Sequence, residues 1–360
     1  MGEASDATVI KTDIPQDWLD YLQATGIDTY AITSGISERM NAVPWGWDQD
    51  AISTFHNFNA NFSAPNLSIV KKVNSRRFSN ELSVKYGFGV PRSIFCDDID
   101  CFLKTIDSFI EYPLVVKPVF GGSGFGFRFF HTPDEGKTLI DDIQYLLNHG
   151  GVIVEPWHQR IYDLSSTVII SQNGHLSPIR HQRFFSNDFG TFYAIYISPD
   201  DKAIDINKEQ QERAVFLAAQ ELSRHGYFGT AGFDSFVYRT SSGKETLAAV
   251  IEINARHSMS DIAHAIRNRY AKNRFCFFRL ISKKRCSLPD NYHNLNKLLS
   301  PVHFNPLTME GVILLSPLRF CHNGLRIKPS KNALFLAAKS EEDLFNLDLK
   351  VRNLIEKKSR

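Results

Sequence analysis

The stretch VVKPVFGGSGFGFRFF, residues 115 to 130, decides how this chain is interpreted. It places Lys117 at the end of an apolar run and then sets four glycines within six positions, beginning at Gly121. Glycine has no Cβ, so a glycine-rich loop lets backbone amides approach phosphate oxygens closely. The stretch therefore raises the question of which kind of phosphate-binding loop it forms.

Two well-known loop patterns do not fit. The P-loop pattern GxxxxGK[ST] requires Lys and then Ser or Thr after its last glycine, whereas Gly126 is followed by Phe127 and Arg128. The dinucleotide-binding pattern GxGxxG, started at Gly122, requires glycine at position 127 and a helix next. The residues that follow have a strand pattern instead. We therefore predict a loop between two antiparallel strands, with an ordinary tight turn as the alternative.

The position of Lys117 supports phosphate binding. Side chains alternate along a strand, so Val115 and Lys117 share one face while Leu114 and Val116 share the other. A lysine at the end of such a strand reaches phosphate oxygens, and the loop amides cover the same oxygens from above. The candidate loop contacts are Gly121, Gly122, Ser123 and Gly124.

The segment VIEINAR, residues 250 to 256, carries candidate metal ligands. Alternation places Glu252, Asn254 and Arg256 on one face of the strand. If the preceding hairpin turns near Gly243, Asp234 lies opposite Glu252, and two opposed carboxylates are destabilising unless a cation offsets them. Carboxylate oxygens are the ligands that Mg²⁺ prefers. The sequence predicts a Mg²⁺ site, with Mn²⁺ as an alternative ion; an ordinary solvent-facing strand is the competing interpretation.

A third segment fits the binding of a nucleotide base and ribose. The strand GVIVE ends at Glu155, and Pro156 and Trp157 begin an extended linker whose backbone would bond the adenine edge. Asp163, eight residues further on, would accept hydrogen bonds from the ribose hydroxyls. Packing of Trp157 in a core or interface, and a capping role for Asp163, are the alternatives.

Composition excludes several classes of protein. Lys and Arg (41) nearly balance Asp and Glu (39) in the 360 residues, so no charge excess favours nucleic acid or an anionic membrane. The five cysteines are odd in number and lack zinc-site spacing, which indicates reduced thiols. The amino terminus lacks the features of a signal peptide, and no apolar stretch is long enough to span a bilayer. We expect a soluble cytoplasmic protein.

Taken together and in order, these motifs resemble the ATP-grasp superfamily. The resemblance rests on Lys117, the GGSGFG loop at 121–126, the Glu155–Trp157 linker, Asp163, Asp234 and the Glu252/Asn254 pair, and covers about residues 72 to 268. It implies an α/β plus α+β fold class, in which two α+β subdomains clamp ATP after a small α/β pre-ATP-grasp domain. The expected units are 1–72, 73–153 with the glycine loop, 154–268 with the metal-binding hairpin, and 269–360 completing the substrate site.

The resemblance also implies roles for several basic residues. Arg76 stands where the family often places a phosphate-contacting lysine at the start of a helix, and Arg77 is the alternative. Lys117 and Arg256 are expected to act in catalysis, and Arg183 as a second phosphate or substrate contact, with a surface salt bridge as its alternative. His257 and Ser258 are candidates for the acceptor pocket. Many relatives carry an arginine just before the metal-binding Asp, but residues 231 to 233 are Ala, Gly and Phe here.

The ExNxR ending at Arg256 resembles the carboxylate-amine ligases of the superfamily, including those that make peptide-like products. It implies that ATP and Mg²⁺ convert a small-molecule carboxylate into an acylphosphate, which an amine then attacks. The glycine loop and SNDFG (186–190) are expected to close over the site. The alternatives are a phosphotransferase, a thioester-forming enzyme or a non-catalytic nucleotide-binding regulatory protein; a homodimer is left open.

Overall fold

We analysed a computed structural model of the chain, which describes residues 7–9, 14–28, 31–33, 40–121, 126–187, 192–199, 208–322 and 324–355. The central residues of the glycine loop, Gly122, Ser123, Gly124 and Phe125, lie outside the described residues. So do residues 188–190 of SNDFG. The predicted closure of these two loops therefore stays a prediction.

The described chain contains both helices and strands, in part as runs of one type such as α2 to α4 and β6 to β9. The helices are α1 (Gln16–Ala24), α2 (Gln49–Asn57), α3 (Leu67–Val73), α4 (Arg76–Tyr86), α5 (Ile99–Ser108), α6 (Pro133–Thr138), α7 (Ile140–Asn148), α8 (Lys208–Arg224), α9 (Met259–Tyr270), α10 (Tyr292–Leu299) and α11 (Glu341–Ile355). The strands are β1 (Ala7–Val9), β2 (Ala31–Thr33), β3 (Ile94–Cys96), β4 (Leu114–Pro118), β5 (Arg128–Phe130), β6 (Val152–Pro156), β7 (Arg160–Ile170), β8 (Arg180–Ser186), β9 (Phe192–Ile197), β10 (Gly229–Arg239), β11 (Glu245–Asn254), β12 (Phe275–Ser282), β13 (Gly311–Leu314), β14 (Phe320–His322), β15 (Leu325–Ile327) and β16 (Lys331–Ala338).

A four-stranded antiparallel sheet with the order β3-β6-β4-β5 carries the glycine loop. β4 and β5 pair from Leu114↔Phe130 to Val116↔Arg128, which confirms the predicted return of the chain across the loop. Buried apolar side chains of this sheet and of α5 and α7 form one core cluster. Two short helices, α6 and α7, follow β5 and are separate because Leu139 (φ −94°, ψ 10°) leaves the helical conformation between them.

An eight-stranded sheet carries the hairpin of β10 and β11, on which the candidate metal ligands lie. We call it the metal-site hairpin, and its second strand, β11, the metal-site strand. The order of the sheet is β11-β10-β7-β8-β9-β12-β16-β13, and its paired strands are antiparallel. β12 bonds β9 on one side and β16 on the other. The sequence analysis places a domain boundary between residues 268 and 269. The strands β12, β13 and β16, which follow that boundary, nevertheless belong to the same sheet as β7 to β11.

Helix α4 begins at Arg76, one of the predicted phosphate-binding residues. Ser75 caps it, since its side-chain oxygen accepts a hydrogen bond from the Phe78 amide at 3.2 Å. Gly87 ends it with a left-handed conformation (φ 68°), which costs glycine little. Arg76 therefore occupies the first turn of this helix, the position at which the resemblance implies a phosphate-contacting residue.

The amino-terminal region contacts the eight-stranded sheet near both of its edge strands, β13 and β11. The Leu314 amide donates a hydrogen bond to the Tyr21 hydroxyl at 3.0 Å, and the Tyr21 ring stacks on Tyr292 with centroids 5.0 Å apart. The segment before α2 meets the metal-site strand, because the His257 amide donates to the Trp45 carbonyl at 2.8 Å. Within the described ranges, no helix combines the length and apolar character that crossing a membrane requires.

Candidate active site

Lys117 lies at the end of β4 in a buried ion pair. Its ammonium group donates to the Glu155 carboxylate, and Lys117 is only 5% exposed. Ser93 donates to the other Glu155 oxygen at 2.9 Å, and Asn80 donates to the Ser93 hydroxyl at 2.9 Å. Burial lowers the pKa of Lys117, and the adjacent Glu155 carboxylate opposes that shift. The Glu155 side chain thus holds the Lys117 ammonium group in position.

Arg76 connects the glycine loop with the metal-site strand. Its guanidinium donates to the Pro118 carbonyl at 2.8 Å, to the Gly121 carbonyl at 3.1 Å and to the Glu252 carboxylate at 3.0 Å. The side chain is 4% exposed. Arg77, the alternative, is exposed and pairs with Glu81 one helical turn away. The structure therefore brings Arg76 and not Arg77 to the loop.

The metal-site hairpin has the register that the sequence predicts, with Asp234 directly opposite Glu252. Asn254 donates to Asp234 at 3.0 Å, and Arg256 donates to the Asn254 side-chain oxygen at 2.8 Å. Burial, and secondarily the neighbouring Glu252 charge, raise the pKa of Asp234 to about 7. A divalent cation would offset this repulsion, so the residues present fit Mg²⁺.

This donor set is small. Among the described residues, no group of three or more His, Cys, Asp and Glu side chains is positioned to hold a metal ion. Asp234, Glu252 and Asn254 supply two carboxylates and one amide oxygen. Such a set suits an ion that keeps other oxygen ligands from phosphate or water, as Mg²⁺ does.

A cavity of about 430 Å³, here called the central cavity, opens between the two sheets. Six predicted site residues line it: Lys117, Asp234, Glu252, Asn254, Arg256 and Ser258. Apolar side chains form much of the remaining wall: Phe127, Phe184, Phe192, Ile195 and Ile251. A mainly apolar wall with a few convergent polar groups is typical of ligand sites.

Gln182 is a cavity residue that the sequence analysis missed. It is fully buried on β8, and His264 on α9 donates to its side-chain oxygen at 3.1 Å. Among the described residues its amide nitrogen has no hydrogen-bond partner. A buried donor without a partner is costly, so a ligand acceptor in the cavity would stabilise it. The sequence signal for Gln182 was strand alternation, which places it on the same face of β8 as Phe184, another cavity residue.

The structure does not bring Arg183 to the central cavity. As the residue after Gln182, Arg183 points to the opposite face of β8, where its guanidinium lies 4.4 Å from the centre of the Tyr162 ring. His181 shares that face, is buried, and bonds the Ser166 hydroxyl at 2.9 Å. Arg183, predicted as a second phosphate or substrate contact, therefore lies on the face of β8 that is turned away from the central cavity.

The linker residues lie beside the cavity, and Arg160 stands between them and its interior. The Trp157 amide donates to the Pro113 carbonyl at 2.8 Å, and Arg160 lies 4.5 Å from the centre of the Trp157 ring. Arg160 lines the cavity and donates to Asp163 at 2.9 Å, while Ser186 also bonds Asp163. Arg160 is thus a second residue that sequence reasoning missed.

The two candidates for the acceptor pocket have different surroundings. Ser258 lines the central cavity and begins α9 in a capping box, in which its amide donates to Asp261 at 2.8 Å. His257 holds the amino-terminal segment through its backbone bond to Trp45, and its ring lies 6.3 Å from that of Trp45. His257 therefore supports the wall on which Trp45 lies.

Comparison with solved structures defines the class of fold. The chain aligns with Staphylococcus aureus N5-carboxyaminoimidazole synthetase in complex with ADP (TM-score 0.56, 13% identity, 89% of this chain and 79% of that one). It also aligns with the biotin carboxylase domain of Hydrogenobacter thermophilus 2-oxoglutarate carboxylase in complex with MgADP and bicarbonate (TM-score 0.54, 14% identity, 81% and 67%). These neighbours are ATP-grasp proteins, so this chain has the ATP-grasp fold.

No known family model matches the sequence. Among curated proteins, the chain is 28% identical over 198 residues to the [butirosin acyl-carrier protein]–L-glutamate ligase of Niallia circulans, which covers 54% of this chain and 45% of that protein. It is 24% identical over 139 residues to the carbamoyl phosphate synthase large chain of Campylobacter jejuni, covering 39% and 12%. The matched part is thus less than half of each relative's length.

Proposed function

We propose that this protein is an ATP- and Mg²⁺-dependent ligase that activates a carboxylate as an acylphosphate and joins it to an amine. The observation that carries the proposal is the convergence of Lys117, Asp234, Glu252, Asn254 and Arg256 on one cavity in an ATP-grasp fold. A protein that only binds nucleotide has less need of a half-buried carboxylate pair with an adjacent arginine. The similarity to an acyl-carrier-protein–glutamate ligase supports the same class of reaction.

In the first step, a substrate carboxylate oxygen attacks the γ-phosphorus of ATP. The bond to the bridging oxygen breaks, and its electron pair leaves with ADP. Lys117 and the amides of the glycine loop would hold the phosphates, and Arg76 would fix the base of that loop. Mg²⁺ held by Asp234, Glu252 and Asn254 would supply positive charge against the phosphate oxygens.

In the second step, the amine attacks the acyl carbon and inorganic phosphate leaves. Arg256 lies beside the metal ligands, where a guanidinium fork would pair with a carboxylate or an acylphosphate. The amine loses a proton as the amide forms, and phosphate carries away the bridging oxygen. The sum of the two steps is ATP, acid and amine converted to ADP, phosphate and amide.

A second candidate differs only in the nucleophile. The curated relative is named for joining L-glutamate to an acyl-carrier protein, so a carrier-protein group could replace the small amine here. The nucleotide site would then serve the same first step.

The test is a screen with ATP, Mg²⁺ and pairs of acids and amines, which measures phosphate release and product mass together. An amide product with equimolar ADP supports the proposal. ADP release that depends on acid and on an added carrier protein, with no amide from any free amine, favours the second candidate. Tight ATP binding without acid-dependent ADP formation contradicts both.

A further inference from the structure

A second cavity, of about 630 Å³, also borders the strand β11 and the residues that follow it. We call it the tryptophan cavity, because Trp45 and Trp47 line it together with Phe55 and Phe120. Its volume is in the range of small-molecule sites, and aromatic side chains dominate such sites. Trp45 and Phe120 are 46% and 43% exposed, so two large aromatic faces remain accessible at this cavity.

The tryptophan cavity and the central cavity share a wall. Glu252, Asn254, Arg256 and Trp45 line both. A molecule in the tryptophan cavity would therefore contact the same candidate metal ligands, Glu252 and Asn254, as a nucleotide in the central cavity. Gly46 packs closely against Arg256 at this wall, because a Cβ at position 46 would lie only 3.1 Å from the Arg256 Cβ.

Arg256 gives the tryptophan cavity an anchor for a carboxylate. Its guanidinium donates to Asn254 at 2.8 Å and to the His257 carbonyl at 3.2 Å. A guanidinium has five N–H donors, and these two bonds occupy two of them within the described part of the chain. The planar fork matches a carboxylate in geometry and charge.

We propose that the tryptophan cavity binds the acid substrate, and that this acid carries an aromatic or branched apolar body. The inference rests on the proposed function, because it assigns the carboxylate of the first step. The acid group would lie at Arg256, beside Glu252 and Asn254, and the apolar body would pack among Trp45, Trp47, Phe55 and Phe120. Burial of an aromatic body against such rings contributes strongly to affinity.

The charges of the lining favour this class over a dicarboxylic acid. Among the described lining residues, Arg256 is the one cationic side chain, whereas Asp48 and Glu252 are acidic. The Asp48 carboxylate already caps α2, accepting from the Ala51 amide at 2.7 Å. Lys71 lies outside, with its ammonium 5.6 Å from the centre of the Phe120 ring. A second substrate carboxylate, as in the glutamate for which the curated relative is named, would face acids and aromatic rings.

The test uses the full chain with ATP, Mg²⁺ and hydroxylamine, which converts an acylphosphate into a coloured hydroxamate without any natural amine. The probes are 3-phenylpropionate, indole-3-acetate and L-phenylalanine against L-glutamate and succinate. We expect kcat/KM for the best aromatic acid to exceed that for L-glutamate at least about tenfold, a difference that corresponds to one buried apolar group. Quenching of tryptophan fluorescence by each acid other than indole-3-acetate, whose own indole ring fluoresces, measures binding independently of turnover.

Two variants and one control assign the effect to this cavity. Phe120→Ala removes an aromatic face, and Ala51→Phe fills part of the space that the cavity offers. Each is expected to raise KM for the aromatic acid about five- to tenfold and to leave the Kd for ATP within about twofold. Tyr145→Ala, which removes a 63% exposed aromatic ring on α7, is the matched control and should change neither.

Each outcome separates the inference from the proposed function. Hydroxamate formed preferentially from L-glutamate or succinate overturns the inference and leaves the ligase proposal standing. Variant-sensitive fluorescence quenching by aromatic acids, with no hydroxamate from any acid, supports the cavity and contradicts the ligase proposal. The absence of both signals overturns both, and an unchanged KM in Phe120→Ala and Ala51→Phe overturns the inference alone.

Discussion

Lys117 and Glu155 form a buried ion pair between adjacent strands β4 and β6, one beside the glycine loop and the other at the start of the linker. Their side chains point to the same face of the sheet, where Ser93 donates to the second carboxylate oxygen and Asn80 donates to the Ser93 hydroxyl. The pair therefore presents the lysine to the central cavity in a fixed position, and each partner depends on the other for its charge.

This dependence predicts strong non-additivity. Lys117→Met or Glu155→Gln alone leaves one buried charge without its partner, and each should lower the free energy of unfolding by about 3 to 5 kcal/mol. The double variant should lose clearly less than the sum of the two. Urea denaturation of the four proteins measures the coupling. Additive losses would show that the two charges do not stabilise each other.

Arg76 and Arg77 offer a matched comparison on one helix. Arg76→Lys keeps the charge but cannot donate to Pro118, Gly121 and Glu252 at once, and should weaken ATP binding about tenfold or more. Arg77→Lys changes an exposed residue paired with Glu81 and should leave the Kd within about twofold. Titration calorimetry with ATP and Mg²⁺ measures both. Equal effects would remove Arg76 from the proposed loop contacts.

Asp234 should make stability depend on pH. Its pKa is about 7 in the folded protein against an ordinary value of 3.8, so the folded state keeps a proton that the unfolded state releases. The wild type should therefore lose stability, relative to Asp234→Asn, as the pH rises from about 4 to about 7, and no more above that range. Thermal unfolding in EDTA at a series of pH values measures this difference.

Added Mg²⁺ provides the control for that prediction. Above pH 7 the ion should raise the unfolding temperature of the wild type, because it binds the deprotonated carboxylate. It should do so weakly or not at all for Asp234→Asn. A wild-type slope equal to that of the variant, with and without the ion, would argue against a metal role for this residue.

Arg160 and Arg183 lie on neighbouring strands but differ in position relative to the central cavity. Arg160→Ala should raise KM for ATP about tenfold, since Arg160 lines the cavity and orders Asp163. Arg183→Ala removes a contact to Tyr162 on the far face and should change kcat/KM less than about twofold. Steady-state kinetics of both variants measure KM for ATP and kcat/KM. A larger effect at Arg183 would restore it as a substrate contact.

The sequence predicted the parts of the site whose placement follows from local periodicity. The hairpin register that sets Asp234 opposite Glu252 and the antiparallel return after the glycine loop both depend on alternation within a few residues. Each of these two signals is contained in a short segment of the chain. The fold class was implied by the resemblance of the motifs, taken in order, to the ATP-grasp superfamily.

The features that the sequence did not predict depend on which face of a strand meets its partner. Alternation separates Gln182 from Arg183 but cannot say which face is turned to the cavity, because β7 and β9 on either side of β8 decide that. The Lys117–Glu155 pair joins residues on different strands, and the side-chain role of Glu155 was missed for that reason. The continuation of the large sheet through β12, β16 and β13 likewise depends on long-range strand pairing.

The three bonds of Arg76 have a consequence for the order in which ligands act. In this structure a guanidinium holds Glu252, the residue that a divalent cation would claim, and also holds the carbonyl of Gly121 at the base of the loop. A cation that takes over Glu252 releases part of the arginine for an anionic phosphate. Metal and nucleotide should then bind synergistically, each increasing the affinity for the other by the same factor, because coupling free energies are reciprocal. Before ligands bind, Arg76 thus supplies the positive charge beside Glu252 that a bound divalent cation would supply afterwards.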